Sequence, residues 1–154
     1  MKVTRLNHAG LTVGNLDQAI RHYCDVLGLR LLGVFDDGSA MIRKITGIAD
    51  ARIRIADIAT ANGDVIELME YVTPQKQQHK LGLLDVGTSH IALEVDDIDA
   101  AYARLLAASV PVTSAPVTID APDSIWHGAR VLYSRDPDGR TVELIETANP
   151  PIPE

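Results

Sequence analysis

Several features are scarce or missing in this sequence, and each one limits what the protein can be. Cys24 is the only cysteine in the 154 residues, so no disulfide can form within the chain and a reducing compartment is expected. No apolar run approaches the roughly 20 residues that a membrane-spanning helix needs. The first residues contain no apolar stretch of signal-peptide length. We therefore expect a soluble, cytoplasmic protein with no membrane partner.

Clusters of basic residues are also missing. The formal net charge is −7, from 14 Lys and Arg against 21 Asp and Glu, whereas a nucleic-acid-binding surface usually needs a basic stripe. Nucleic acid is therefore not an expected partner. The composition is 46% hydrophobic and 23% charged, which is typical of a folded domain rather than a disordered chain.

What the sequence does contain is one unit written twice. The residues that follow His8 recur after His90, at an offset of 82 positions (90 − 8). The segment 63–70 recurs as 139–146, at an offset of 76 positions (139 − 63). Each copy therefore carries one histidine near its start and one glutamate near its end.

The pattern predicts an α+β fold built from two tandem βαβββ modules. Module one spans 3–72, a polar linker spans 73–87, module two spans 88–147, and a Pro-rich tail follows at 148–154. A lone four-stranded sheet would leave one face in water. We therefore expect the two modules to bury sheet faces together within a single domain, 1–154.

Local signals predict the elements inside each module. Asn15 caps the first helix, Gly28 ends it, and Asn62 with Gly63 marks a hairpin turn. The stretch 41–50 fits either a short helix or an ordered loop. The predicted strands are 3–14, 29–35, 52–59 and 65–72 in module one, and 88–95, about 110–118, 128–134 and 140–147 in module two, whose helix is 97–108.

The repeated residues His8, Glu67, His90 and Glu143 are the predicted metal ligands. Two imidazoles and two carboxylates suit one divalent ion such as Zn, Ni, Co, Mn or Fe(II). Four protein ligands in an octahedral field leave two positions for two oxygens of a small-molecule substrate. Such an ion would stabilise an enolate as a Lewis acid, while a carboxylate carries the proton. We assign the catalytic role to the two glutamates, with Glu143 as the fixed ligand and Glu67 as the mobile base.

Some other polar and aromatic residues are expected to lie outside the chemistry. Glu70 and Glu146 also repeat, but they lie three residues further on, on the opposite strand face, and are expected to be exposed. His22 is expected to be a solvated surface histidine. The residues that shape the substrate site are expected in 35–50 and 119–130, and Trp126, His127 and Tyr133 are the aromatic candidates.

These motifs resemble the vicinal oxygen chelate superfamily, which includes glyoxalase I, methylmalonyl-CoA epimerase, extradiol dioxygenases and bleomycin-binding proteins. The resemblance rests on His8 and on four segments that together span most of the chain: 16–28, 65–68, 89–96 and 136–146. It implies paired βαβββ modules that form a half-open barrel around a metal ion. It also implies the four ligand positions named above.

The same resemblance implies a metal-dependent lyase, isomerase or epimerase, because all four ligand positions are filled. Glyoxalase I usually has an Arg and an Asn that read glutathione, and those places hold Thr12 and Tyr71 here. One alternative is an Fe(II)-dependent extradiol-type dioxygenase, and another is an antibiotic-binding protein without catalysis. We expect a homodimer in which each chain forms its own metal site.

Overall fold

The structure is a computed structural model of the chain, and it describes residues 1–74 and 82–147. The chain divides into two compact units, 1–79 and 80–154, which correspond to the two predicted modules and keep those names below. Each module contains a four-stranded sheet, so the predicted α+β fold with a repeated unit is confirmed. Residues 75–81 of the predicted linker and all of the predicted tail lie outside the described residues.

Module one contains four strands and two helices. The strands are β1 (His8–Thr12), β2 (Arg30–Asp37), β3 (Arg52–Ala59) and β4 (Val65–Thr73), and the helices are α1 (Leu16–Ile20) and α2 (Ala40–Thr46). The sheet order is β1-β4-β3-β2, with β1 parallel to β4 and the other pairs antiparallel. The helix α2 resolves the open alternative at 41–50, because the Ser39 hydroxyl caps it and Gly47, at φ 71°, ends it.

Module two repeats this topology without the second helix. Its elements are β5 (His90–Glu94), α3 (Ile98–Ala107), β6 (Val117–Thr118), β7 (Arg130–Arg135) and β8 (Thr141–Glu146). The sheet order is β5-β8-β7-β6, with β5 parallel to β8 as β1 is to β4. No helix in residues 1–74 or 82–147 is long and apolar enough to cross a membrane.

The predicted helix and turn signals are confirmed. Asn15 Oδ1 accepts a hydrogen bond from the backbone N–H of Gln18 at 2.8 Å, and Asp97 caps α3 in the same way at 2.9 Å. Gly28 has φ 83° after the first helical stretch, and Gly63 has φ 91° in the turn between β3 and β4. These positive angles favour glycine because it has no Cβ.

Helix α1 in module one and helix α3 in module two pack against one face of their sheets, and the candidate ligands lie on the other face. Side chains alternate along a strand, so residues an even number of positions apart share a face. The buried residues on the helix side are Leu16, Ala19, Tyr23, Ala56, Ile58, Ile66 and Leu68 in module one, and Ile98, Leu105, Leu132, Val142 and Leu144 in module two. Burying each large apolar side chain contributes about 1.5–3 kcal/mol.

Two predicted strands are shorter than expected. The strand predicted at 3–14 is formed only over His8–Thr12, and His8 is its first residue because its partner strand β4 begins opposite it, at Val65. The strand predicted at about 110–118 is reduced to β6 and one isolated pair, Val112 with Ser134. Two prolines in that stretch of the sequence lack the N–H that a sheet ladder needs.

The expected exposure of His22 is wrong. His22 is 7% exposed, and its ring stands edge-on to the ring of Tyr23, with 5.1 Å between the centroids. After α1 the chain continues as a π-helical segment, Arg21–Val26, in which the N–H of Leu27 donates to the carbonyl of His22. This wider turn changes which side chains face the sheet, and a period of 3.6 residues does not anticipate it.

Candidate functional site

The two candidate ligands of module two are in contact. His90 pairs with Thr141 and Ala92 pairs with Glu143 across β5 and β8, so the histidine and the glutamate share one sheet face. Nε2 of His90 lies 3.0 Å from Oε2 of Glu143, and the two side chains are 45% and 14% exposed. We call this pair the second half-site.

The spacing of the second half-site fits two ligands of one ion. Two donors bound to one ion at about 2.1 Å each lie roughly 3 Å apart. The 3.0 Å between Nε2 and Oε2 is compatible with that spacing. The same separation also allows a hydrogen bond between the two groups in the metal-free protein.

An aromatic ring borders the second half-site. Tyr133 lies on β7 directly opposite Glu143 and therefore projects from the same face. Its ring centroid is 5.6 Å from that of His90, with 37° between the ring planes. Tyr133 was one of three aromatic candidates in the sequence, with Trp126 and His127, and the structure brings its ring to the second half-site.

The candidate ligands of module one share a face without touching. His8 pairs with Val65 and Gly10 pairs with Glu67, so both side chains project from the same side of the sheet. Nδ1 of His8 lies 2.8 Å from Oδ1 of Asn7. When Nδ1 donates to that oxygen, the lone pair remains on Nε2, which is the form that binds a metal. The role of Asn7 was not anticipated from the sequence.

Glu67 has different surroundings from Glu143. It is half-buried, and within residues 1–74 and 82–147 its carboxylate has no hydrogen-bond or ion-pair partner. Its neighbour across β3 and β4 is Asp57, which stands where Tyr133 stands in module two, at the offset of 76 (133 − 57). We call His8 and Glu67 the first half-site, which therefore has a carboxylate where the second has an aromatic ring.

Within each module the two predicted ligands share a sheet face, and only those of module two are in contact. Among the described residues, no group of three or more His, Cys, Asp and Glu side chains is arranged to hold a metal ion. The donor types in each pair still suit a borderline or hard divalent ion. The four-ligand set of His8, Glu67, His90 and Glu143 thus stays a prediction.

Comparison with known proteins identifies the family. A model of the Glyoxalase/Bleomycin resistance protein/Dioxygenase superfamily matches residues 5–144. The chain belongs to this superfamily. The match includes all four candidate ligands and nearly all of both modules, so the predicted family resemblance is confirmed.

Curated members of the superfamily that resemble the chain are enzymes by name. The 2-epi-5-epi-valiolone epimerase of Actinomyces sp. is 34% identical over 145 residues, covering 91% of this chain and 78% of that protein. A probable lactoylglutathione lyase of Synechocystis sp. is 30% identical over 146 residues, covering 94% and 96%. A crystal structure of a glyoxalase family protein from Bacillus cereus has a TM-score of 0.81 at 24% identity and covers 97% of both chains, which supports the fold.

The glutamates Glu70 and Glu146 are not the exposed residues that the sequence predicts. Oε2 of Glu70 accepts hydrogen bonds from the N–H of Leu16 and from Arg54, both at 3.2 Å. Oε2 of Glu146 accepts one from the N–H of Ile98 at 2.8 Å. Each glutamate therefore binds the first turn of the helix that packs on its sheet, where a negative charge also offsets the positive end of the helix dipole.

An arginine and an aspartate complete this arrangement in both modules. Arg54 binds Asp17 at 2.9 Å, and Arg130 binds Asp99 with two hydrogen bonds of 2.8 Å. The arginines hold the pKa of Asp17 and that of Asp99 below the ordinary value for aspartate. Arg54 and Arg130 are separated by the repeat offset of 76 (130 − 54), so the repeat contained a signal for this arrangement. We call the glutamate, arginine and aspartate of each module the bracket. The bracket lies on the helix side of each sheet, away from the half-sites.

Proposed function

We propose that the protein is a divalent-metal-dependent isomerase, epimerase or lyase that moves a proton on a carbon beside a carbonyl group. The observation that carries this proposal is the paired second half-site, in which His90 Nε2 and Glu143 Oε2 are 3.0 Å apart. The first half-site repeats the same residue types at equivalent sheet positions, with His8 and Glu67. The named relatives, an epimerase and a lactoylglutathione lyase, support this reaction class.

The proposed ligands are the four residues of the two half-sites, His8, Glu67, His90 and Glu143. The ion is one of Zn, Ni, Co, Mn and Fe(II), and each chain of a homodimer forms its own site. When bound, the ion would supply Lewis-acid stabilisation of the negative charge that develops as the substrate loses its proton. Mixing His8→Ala chains with His90→Ala chains distinguishes this assembly from a shared site, since only a shared site would recover metal binding.

The protein contributes a base, and the structure favours Glu67 for that role. A carboxylate that moves during the reaction must not be tied to other groups, and Glu67 has no polar partner among the described residues. Glu143 is in contact with His90 and is only 14% exposed, as suits a fixed ligand. Glu67 would accept the proton from the substrate carbon while the C–H electron pair delocalises toward the carbonyl oxygen. Epimerisation is completed when solvent delivers a proton to the other face of that carbon and Glu67 releases its own proton to solvent.

The surroundings of the first half-site favour a small hydroxylated ketone as substrate. Asp57 lies beside Glu67 on the same face and offers acceptor oxygens for hydroxyl groups. Thr12 and Tyr71 stand where glyoxalase I usually has the Arg and Asn that bind glutathione. The relative at 34% identity is named 2-epi-5-epi-valiolone epimerase. We therefore place this chemistry before hemithioacetal isomerisation.

Solvent deuterium exchange tests the reaction and the base together. The metal-loaded protein is incubated in D₂O with 2-epi-5-epi-valiolone or with the hemithioacetal of methylglyoxal and glutathione, and exchange at the acidic carbon is followed by NMR. We expect exchange with the ketone, and Glu67→Gln should keep the metal and lose most of that exchange. Exchange that survives Glu67→Gln but not Glu143→Gln would transfer the role to Glu143. Absence of exchange with both substrates would contradict the proposed reaction.

The superfamily also contains dioxygenases and bleomycin resistance proteins, as its description states. Oxygen consumption with Fe(II) and an aromatic diol would identify the dioxygenase alternative. Metal analysis of protein purified without chelator separates both enzyme classes from the binding-only alternative. A chain that retains no ion would favour sequestration of a small molecule over catalysis.

A further inference from the structure

The His90 ligand is accessible on one side and covered on another. Its side chain is 45% exposed, so solvent alone would leave the imidazole free to adopt several rotamers. Glu143 contacts the Nε2 edge, and the ring of Tyr133 lies 5.6 Å from the imidazole, tilted by 37°. This distance lies within the range for attractive ring pairs.

The sheet register places Tyr133 next to Glu143 and close to His90. Tyr133 is directly opposite Glu143 on β7, and Glu143 is directly opposite Ala92 on β5, two residues from His90. Because β8 lies between β5 and β7, the contact between the histidine and tyrosine rings crosses β8 beside Glu143. In module one the corresponding residues are Asp57 and Gly10, so the position equivalent to Tyr133 holds a carboxylate in place of a ring.

We propose that Tyr133 is a positioning residue, whose ring holds the imidazole of His90 in the orientation in which Nε2 faces Glu143 and the ion. This inference rests on the metal site of the proposed function. It makes the second half-site the preorganised part of the site, because two neighbours restrict its histidine. In the first half-site, His8 is oriented by its hydrogen bond to Asn7.

The test compares Tyr133→Leu and Tyr133→Phe for binding of Ni²⁺ and Mn²⁺, by calorimetry against a weak competing chelator. Loss of a group that orients a ligand typically costs about 10- to 100-fold in metal affinity. We expect that loss for Tyr133→Leu, and near-normal affinity for Tyr133→Phe, since phenylalanine keeps the ring. Tyr102→Leu is the matched control, because Tyr102 is also half-buried but lies on α3, on the other side of the sheet.

A second measurement does not depend on bound metal. The ring protons of His90 should show a ring-current shift in the metal-free wild type and in Tyr133→Phe, and lose it in Tyr133→Leu. Circular dichroism establishes that each variant is folded, and Tyr133→Met replaces Tyr133→Leu if the leucine variant does not fold.

Wild-type affinity in the leucine variant, or an equal loss in the phenylalanine variant, would overturn the positioning role of the ring. If the wild type binds no divalent ion, the proposed function fails, and the His90 shifts alone decide whether Tyr133 holds the imidazole.

Discussion

Removing the carboxylate of Glu70 should destabilise the protein by about 2 kcal/mol, although the residue lies outside the site. Glu70 is 14% exposed and accepts from the first N–H of α1 and from Arg54. A hydrogen bond to a charged group contributes about 1.5–3 kcal/mol, and an orphaned buried N–H costs about 1–3 kcal/mol. The side chain of Arg54 is a third exposed and still binds Asp17 in the variant. Loss of the Arg54–Glu70 ion pair should therefore contribute less than about 1 kcal/mol of the total.

The experiment is urea unfolding of Glu70→Ala with chelator present, followed by circular dichroism. With a slope of about 1–3 kcal/mol per molar urea, 2 kcal/mol lowers the midpoint by about 1 M. Glu67→Ala is the matched control on the same strand, because Glu67 points to the other face and has no polar partner among the described residues. It should change stability by less than about 0.5 kcal/mol. Equal shifts in the two variants would refute the capping role of Glu70.

Two further predictions concern the bracket and a turn. The pKa values of Asp17 and Asp99 are lowered in the folded state, so their ionised forms stabilise the fold at pH values above the ordinary pKa of 3.8. This stabilisation disappears as the pH falls through the lowered folded-state pKa. Asp17→Asn and Asp99→Asn should therefore be less stable than the wild type at pH 7 but equal to it at the acid end of a pH series of unfolding curves, and a constant difference would exclude this linkage. Gly63→Ala should lower the free energy of unfolding by about 1–2 kcal/mol in thermal or urea unfolding, because φ is 91°. The added Cβ has no neighbour within 4 Å, so this cost comes from the backbone conformation and not from a clash. A neutral effect would show that the turn relaxes.

Much of the fold follows from local features of the sequence. Helix caps and tight turns depend only on residues within one turn of the chain, so the sequence predicts them without any tertiary contact. The examples here are Asn15, Asp97, Gly28 and Gly63. Strand alternation likewise places Glu67 and Glu70 on opposite faces of β4, because the period of two is a property of the extended backbone. The repeat offsets of 82 and 76 then identify equivalent positions in the two modules.

The contacts of Glu70 and Glu146, by contrast, depend on chain segments that are far away in the sequence. Glu70 reaches the N–H of Leu16, which is 54 residues away, and Glu146 reaches Ile98, which is 48 residues away. The strand pattern identifies the face of each glutamate correctly, but only helix packing decides that this face is covered. For that reason the prediction of exposed glutamates was wrong while their placement relative to Glu67 was right.

The sequence by itself determined the family, the two modules and the four candidate ligands, because these depend on residue type and on spacing along the chain. The tertiary structure alone decided how the two half-sites differ. Pairing of β7 with β8 places Tyr133 beside Glu143, and pairing of β3 with β4 places Asp57 beside Glu67. The repeat makes the ligands equivalent in sequence, but strand pairing decides which side chains border them, and the contacts differ: His90 lies against Glu143, whereas His8 lies against Asn7.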